Sequence, residues 1–130
     1  MIARKHILIA DPEAGFRFSA AVALRKAGYR TSIAASGLDA LAQALHRHKE
    51  GDRIDLLIVD CGIRDLPGAE LPIALRNLDV PVPVFAIAEN FDAPLLGEIT
   101  RAGCVGHLEK PFPPDELVRC VERVTKKDAA

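Results

Sequence analysis

Long apolar runs, a strong charge bias and paired cysteines are all missing from this chain. Its longest apolar stretches are only several residues long, too short to cross a bilayer. A net charge of −1 leaves no basic field for nucleic acid and no acidic tail. The opening Met1-Ile2-Ala3-Arg4-Lys5-His6 runs into a strand-like segment without the apolar core and cleavage site of a signal peptide, so a cytoplasmic location is expected. Cys61, Cys104 and Cys120 are odd in number and form no C-x-x-C pair, which argues against a disulfide framework and against a zinc site. Cys120 reads as a small core residue and Cys61 as a partly buried loop thiol. There is no G-x-S-x-G, no nucleotide-binding glycine loop and no nucleophile–histidine pair, which leaves a hydrolytic α/β enzyme without support.

What is present fits one globular unit. The 130 residues are 49% hydrophobic and 27% charged, and no repeat or linker interrupts them; a single domain over 1–130 with a core at about 5–126 is expected. Strand-like and helix-like segments alternate five times. Ile7 to Ala10, Asp55 to Asp60 and Val82 to Ala88 are nearly continuous apolar runs, the pattern of strands buried on both faces. Tyr29 to Ala34 and Val105 to Leu108 complete a set of five. Between them the spacing predicts helices over Ala14 to Ala27, from Ser36 onward, around Leu71 to Leu78, over Pro94 to Ala102, and after Pro113-Pro114.

The expected apolar faces are Phe16, Ala20, Ala23, Leu24 and Ala27 on the first helix and Leu38, Leu41, Ala42 and Leu45 on the second. Ser36 is the expected N-cap of the second helix, with Asp39 completing a capping-box variant. Lys126 and Lys127 in the last turn of the final helix suit its dipole, and Lys127 to Ala130 read as a frayed end. Helices of this length between strands require right-handed crossovers and a parallel sheet covered on both faces.

Three chemistry-bearing residues fall at strand ends: Asp11 after the first strand, Asp60 at the tip of the third, and Lys110 after the fifth. With strand order 2-1-3-4-5, Asp11 and Asp60 flank the crevice where ligands bind in open α/β sheets. Two carboxylates there suit a hard divalent cation such as Mg²⁺, and a lysine beside them suits a phosphoryl oxygen. Simpler readings stay open: Asp11 can cap the following helix, and Lys110-Pro111 can be an ordinary turn.

Together with Ile7-Leu8-Ile9-Ala10-Asp11, Gly28-Tyr29, Ser36-Gly37, Asp55 to Asp60, Pro67-Gly68, Ala102-Gly103 and Lys110-Pro111-Phe112, these residues make the chain resemble the receiver domain of bacterial two-component response regulators. The resemblance implies a flavodoxin-like (βα)5 fold and a module that turns over no substrate of its own. It also implies Asp60 as phosphoacceptor, Lys110 as the phosphoryl contact, a cis Lys110-Pro111 peptide, and Mg²⁺ held by Asp11, Asp60 and the Gly62 backbone carbonyl. A histidine kinase or phosphotransfer protein would supply the phosphoryl group. A downstream partner or effector domain would read it over about Pro94 to Val124, and a homodimer is compatible with the fold.

The chain also departs from the family pattern. Pro12 stands where a second acid is usual, Gly62 where asparagine is frequent, and Ala88 where a switch hydroxyl sits. Glu89 occupies a usually small position, where it would repel a phosphate or pair with Lys110. His107 replaces the switching aromatic residue. A pseudo-receiver, binding partners without phosphorylation, is therefore the alternative expectation.

Overall fold

The computed structural model describes residues 4–126. Its elements are β1 (His6–Ala10), α1 (Ala14–Lys26), β2 (Arg30–Ala34), α2 (Gly37–Lys49), β3 (Leu56–Asp60), α3 (Glu70–Asn77), β4 (Val84–Ala88), α4 (Ala93–Arg101), β5 (Gly106–Glu109) and α5 (Pro114–Lys126). The expectations for Met1-Ile2-Ala3 and for Lys127 to Ala130 lie outside the described residues. All four strand pairings are parallel and the order is β2-β1-β3-β4-β5, as the alternation of elements predicts.

The three central strands are buried along their whole length, and their side chains are apolar except for His6 at the start of β1 and Asp60 at the tip of β3. Side chains alternate across a strand. Ile7, Ile9, Leu56, Ile58 and Phe85 therefore meet α1 and α5, through Leu24, Leu117 and Val121. Leu8, Leu57, Val59 and Val84 meet α2 and α3, through Ala40, Ala44, Leu71 and Leu75. Ala86 and Ala88 pack with Ile99 of α4. Cys120 is buried in the α1–α5 layer, and Cys61 is buried beside Ala86. Among the described residues no helix is long and apolar enough to cross a membrane.

Several local boundaries and faces differ from the sequence expectation. In α2 the buried side chains against the sheet are Ala40 and Ala44, with Leu41 and Leu45 only partly buried and Leu38 and Ala42 exposed. Small side chains let that helix lie close to the strands, and this rotates the buried stripe away from Leu38. In α1 the buried positions are Ala20, Ala21 and Leu24; Ala27 is the exposed C-cap. Strand β4 starts two residues later than expected, at Val84, because Pro81 and Pro83 have no N–H to give a ladder.

Strand β5 is shifted to Gly106–Glu109, and Val105 is 45% exposed. As an edge strand it follows the hydrogen-bond ladder with β4 rather than the apolar run. Gly106 is required there: a Cβ would come within 2.8 Å of the Phe85 ring on the paired strand. Gly28, at φ +100°, provides the left-handed turn that stops α1.

Ser36 caps α2 as expected, its hydroxyl accepting from the Asp39 amide. The reciprocal half of a capping box does not form; the Asp39 carboxylate accepts from Gln43 Nε2 instead. A residue the sequence did not mark completes this helix start. Asp65, in the loop after β3, accepts from the Gly37 and Leu38 amides, both at 2.8 Å. Those two backbone donors hold its carboxyl below the usual range.

At the opposite end of the sheet His6 is buried, with Nε2 2.7 Å from Ser32 Oγ and Nδ1 without a partner. Burial, then the Arg47 and Arg30 guanidiniums, lower its pKa despite Asp52 and Asp55 nearby. A histidine whose folded pKa is depressed favours folding above its unfolded pKa, and that contribution is lost as pH falls through the folded value. Urea midpoints should therefore drop between pH 7.5 and pH 5, and the drop should be smaller in His6→Gln. An equal drop in both proteins would assign the acid sensitivity elsewhere.

Candidate functional site

At the C-terminal edge of the sheet, β1 delivers Asp11, β3 delivers Asp60, and the segment after β5 delivers Lys110. The Lys110 ammonium bridges the two acids, 2.7 Å from Asp11 Oδ2 and 2.9 Å from Asp60 Oδ2. The lysine side chain is 14% exposed, Asp11 is fully buried and Asp60 is 11% exposed. Each acid is also pinned by a local amide: Glu13 N–H donates to Asp11 Oδ1, and Gly62 N–H donates to Asp60 Oδ1. Asp11 turns onto the Glu13 amide rather than capping α1, whose N-cap is Glu13 and carries no side-chain cap bond, and the Lys110-Pro111 peptide is cis, as the resemblance implies, rather than an ordinary turn.

Burial pushes the Asp11 carboxyl above its ordinary range and outweighs the opposing hydrogen bonds from Lys110 and the Glu13 amide. Burial also favours the neutral amine of Lys110, but hydrogen bonds to Asp11 and Asp60 prevail and raise its pKa. A cavity of about 440 Å³ opens above the triad, lined by Pro12, Gly62, Ala88, Glu89 and Asn90 among others. Glu89 is exposed at its rim, and the Lys110 ion pairs go to Asp11 and Asp60, so the expected pairing of Glu89 with Lys110 does not form. Ala88 is buried at the end of β4, and its carbonyl accepts from the Lys110 amide.

His107 is exposed on β5, with its ring 4.9 Å from that of Phe91 in an edge arrangement. Cys61, next to Asp60 in sequence and also lining the crevice, packs with Ala86 and Ile99, and burial pushes its thiol up to about 12. A thiol held so far from its anion is a packing group. His46 and His48 are exposed and separated by the helical turn.

The donor set decides what cation the crevice suits. Among the described residues no group of three or more His, Cys, Asp or Glu side chains is placed to hold a metal ion. Pro12, beside Asp11, offers no carboxylate. Mg²⁺ is commonly held by one or two carboxylates with water and phosphate oxygens completing its shell. Asp11 and Asp60 would meet that minimum if Lys110 gave way, and the Gly62 carbonyl is the further donor that the resemblance implies. In that position the cation would offset the charge of an incoming phosphoryl group.

Sequence reasoning missed two further neighbours of the triad. The Phe16 ring lies under the ammonium, with Lys110 Nζ 4.2 Å from its centroid. Arg17 Nη1 donates to the Asp11 backbone carbonyl at 2.6 Å. Both come from the first turns of α1, where the sequence marks Phe16 only as an apolar-face residue.

A doubly wound parallel sheet with a lysine clamped between two strand-end acids defines a flavodoxin-like domain built around an acidic crevice. Comparison with known proteins agrees: the response regulator receiver domain matches residues 7–122, and the chain belongs to that family, the phosphorelay modules of two-component signal transduction. It is 29% identical over 117 residues to sporulation initiation phosphotransferase F of Bacillus subtilis, covering 90% of each chain. To the transcriptional regulatory protein FixJ of Rhizobium meliloti it is 29% identical over 118 residues, which is 91% of this chain and 55% of FixJ. It thus spans only about half the length of that relative. Among solved structures, chemotaxis protein CheY4 of Vibrio cholerae superimposes with a TM-score of 0.83 at 28% identity, covering 94% of this chain and 99% of CheY4.

Proposed function

We propose that Asp60 accepts a phosphoryl group and that Lys110 holds it. The observation that carries this reading is the Lys110 ammonium seated between Asp60 and Asp11 at the mouth of the sheet. Transfer forms a bond from an Asp60 carboxylate oxygen to phosphorus and breaks the bond from phosphorus to the donor's leaving atom. Lys110, already 2.9 Å from Asp60 Oδ2, has only to exchange a carboxylate contact for a phosphoryl oxygen. Asp11 holds the ammonium at the crevice from the side opposite Asp60 until the phosphoryl group arrives. The protein is a substrate for its donor and turns over nothing of its own.

Retention of this triad favours phosphoryl acceptance over binding without phosphorylation. Glu89 at the rim and the missing hydroxyl at Ala88 make the acceptor slow and the response to phosphorylation shallow. The donor is a histidine kinase or phosphotransfer protein, acting in the cytoplasm. A run of adjoining hollows leads from the crevice past Phe16 and Phe112 to an apolar patch of Phe18, Val22, Pro114 and Val118, and supports a protein donor lying along α1. The output partner reads the face from about Pro94 to Val124.

A small acyl phosphate with Mg²⁺ should add one phosphoryl group, seen as a single mass increment in the intact protein. Asp60→Asn should abolish it completely. Undiminished labelling of the variant, or no labelling of the native protein, would remove this assignment.

A further inference from the structure

We propose that Phe16 is a positioning residue for Lys110, its ring face holding the ammonium in the crevice from the side that neither acid reaches. An ammonium has three N–H donors. Here two are taken by Asp11 and Asp60, at 2.7 and 2.9 Å. The remaining side of the group faces the Phe16 ring, 4.2 Å from its centroid, well within cation–π range. Aliphatic packing alone would not require the nitrogen to sit over the ring, so the arrangement points to the charge itself as what the ring recognises.

The ring is itself fixed. Phe112, two residues beyond Lys110, meets Phe16 edge-on, with centroids 5.8 Å apart and planes at 88°. The favourable edge-to-face geometry locks the orientation of the face that Lys110 uses. Phe16 belongs to α1, whereas Lys110 and Phe112 flank Pro111 after β5. Helix α1 therefore controls where the lysine can go. Without the ring, the four-carbon stem of Lys110 has an open side toward the hollow lined by Glu13, Glu89 and Phe112, and the ammonium can leave Asp60. With the ring in place, Lys110 can release Asp11 to meet a phosphoryl oxygen while remaining within reach of Asp60.

This inference rests on the proposed roles of Asp60 and Lys110, and its test separates the two. The first measurement uses the unphosphorylated protein. The ε-methylene protons of Lys110 should resonate upfield of ordinary lysines because the adjoining ammonium lies over an aromatic ring. Phe16→Leu should return them to the ordinary position, and Phe16→Trp should retain the displacement. The second measurement is the rate of Asp60 labelling by a small acyl phosphate. Phe16→Leu should slow it by about threefold to tenfold, and Phe16→Trp should restore it, since indole is the strongest ring partner for a cation.

Leucine keeps the apolar packing, and matched thermal unfolding of the two variants separates a lost ring from a lost fold. Ordinary Lys110 proton shifts in the native protein, or equal labelling rates for native and Phe16→Leu proteins, would overturn the proposal. If the native protein takes no label while the upfield shift is present and depends on Phe16, the acceptor reading fails and the role of Phe16 in holding Lys110 stands.

Discussion

Lys110→Met is expected to destabilise the protein by about 3 kcal/mol at neutral pH, measured by urea unfolding, and to end productive phosphoryl transfer. Methionine fills the space of the stem but leaves Asp11 and Asp60 facing each other without a cation. Removing one partner from a buried ion pair costs roughly 3–5 kcal/mol, because the remaining charge is desolvated and uncompensated. The lower end applies here, since the crevice admits water beside Asp60.

The pH dependence gives the sign. Burial already holds the Asp11 carboxyl above its ordinary range, and loss of Lys110 moves it further up. A carboxyl with a raised folded pKa loses stability as pH rises through that value. The deficit of Lys110→Met relative to native should therefore shrink at pH 5 and be full at pH 8. The native lysine has the complementary behaviour: its pKa is raised, so its contribution is present below the unfolded lysine value and disappears only in strong alkali. A variant as stable as the native protein at pH 8 would show that water, rather than Lys110, compensates the two acids.

Pro12→Asp is expected to raise Mg²⁺ affinity by at least tenfold, read by calorimetric titration. Lys110 already occupies an oxygen of both Asp11 and Asp60, while Glu13 and Glu89 are the exposed carboxylates of the crevice lining. A carboxylate beside Asp11 adds attraction to a doubly charged ion. Even with bulk-water screening a unit pair at 4 Å contributes about 1 kcal/mol, and the divalent ion doubles it. About 1.4 kcal/mol suffices for tenfold. Pro12→Ala separates the new carboxylate from the loss of the proline ring: it should leave Mg²⁺ affinity near that of the native protein. Equal gains in both variants would mean that backbone freedom, rather than the missing acid, limits the native site.

The sheet was legible in the sequence because Ile7 to Ala10, Asp55 to Asp60 and Val82 to Ala88 have no polar interruption, and such runs have few other uses in a chain of this size. The meeting of Asp11, Asp60 and Lys110 followed from topology, since parallel strands bring their C-terminal ends to one edge. Helix faces were less legible. Alanine is ambiguous between a buried and an exposed position, so α2 was read from its leucines while Ala40 and Ala44 make the contact with the sheet. The long-range partners were not legible at all. Nothing local to Phe16 marks it as a neighbour of a lysine 94 positions away. Nor does Asp65 carry a signal that it caps a helix starting 28 positions earlier.

The loop between Asp60 and α3 is fastened along its length. The Gly62 and Ile63 amides turn back on Asp60, the Gly68 amide bonds the Cys61 carbonyl, and Asp65 grips the start of α2. A segment held at three points has already surrendered its conformational entropy when the chain folds. A ligand that reaches the crevice then meets a rim that needs little further ordering, and more of the interaction energy remains as affinity.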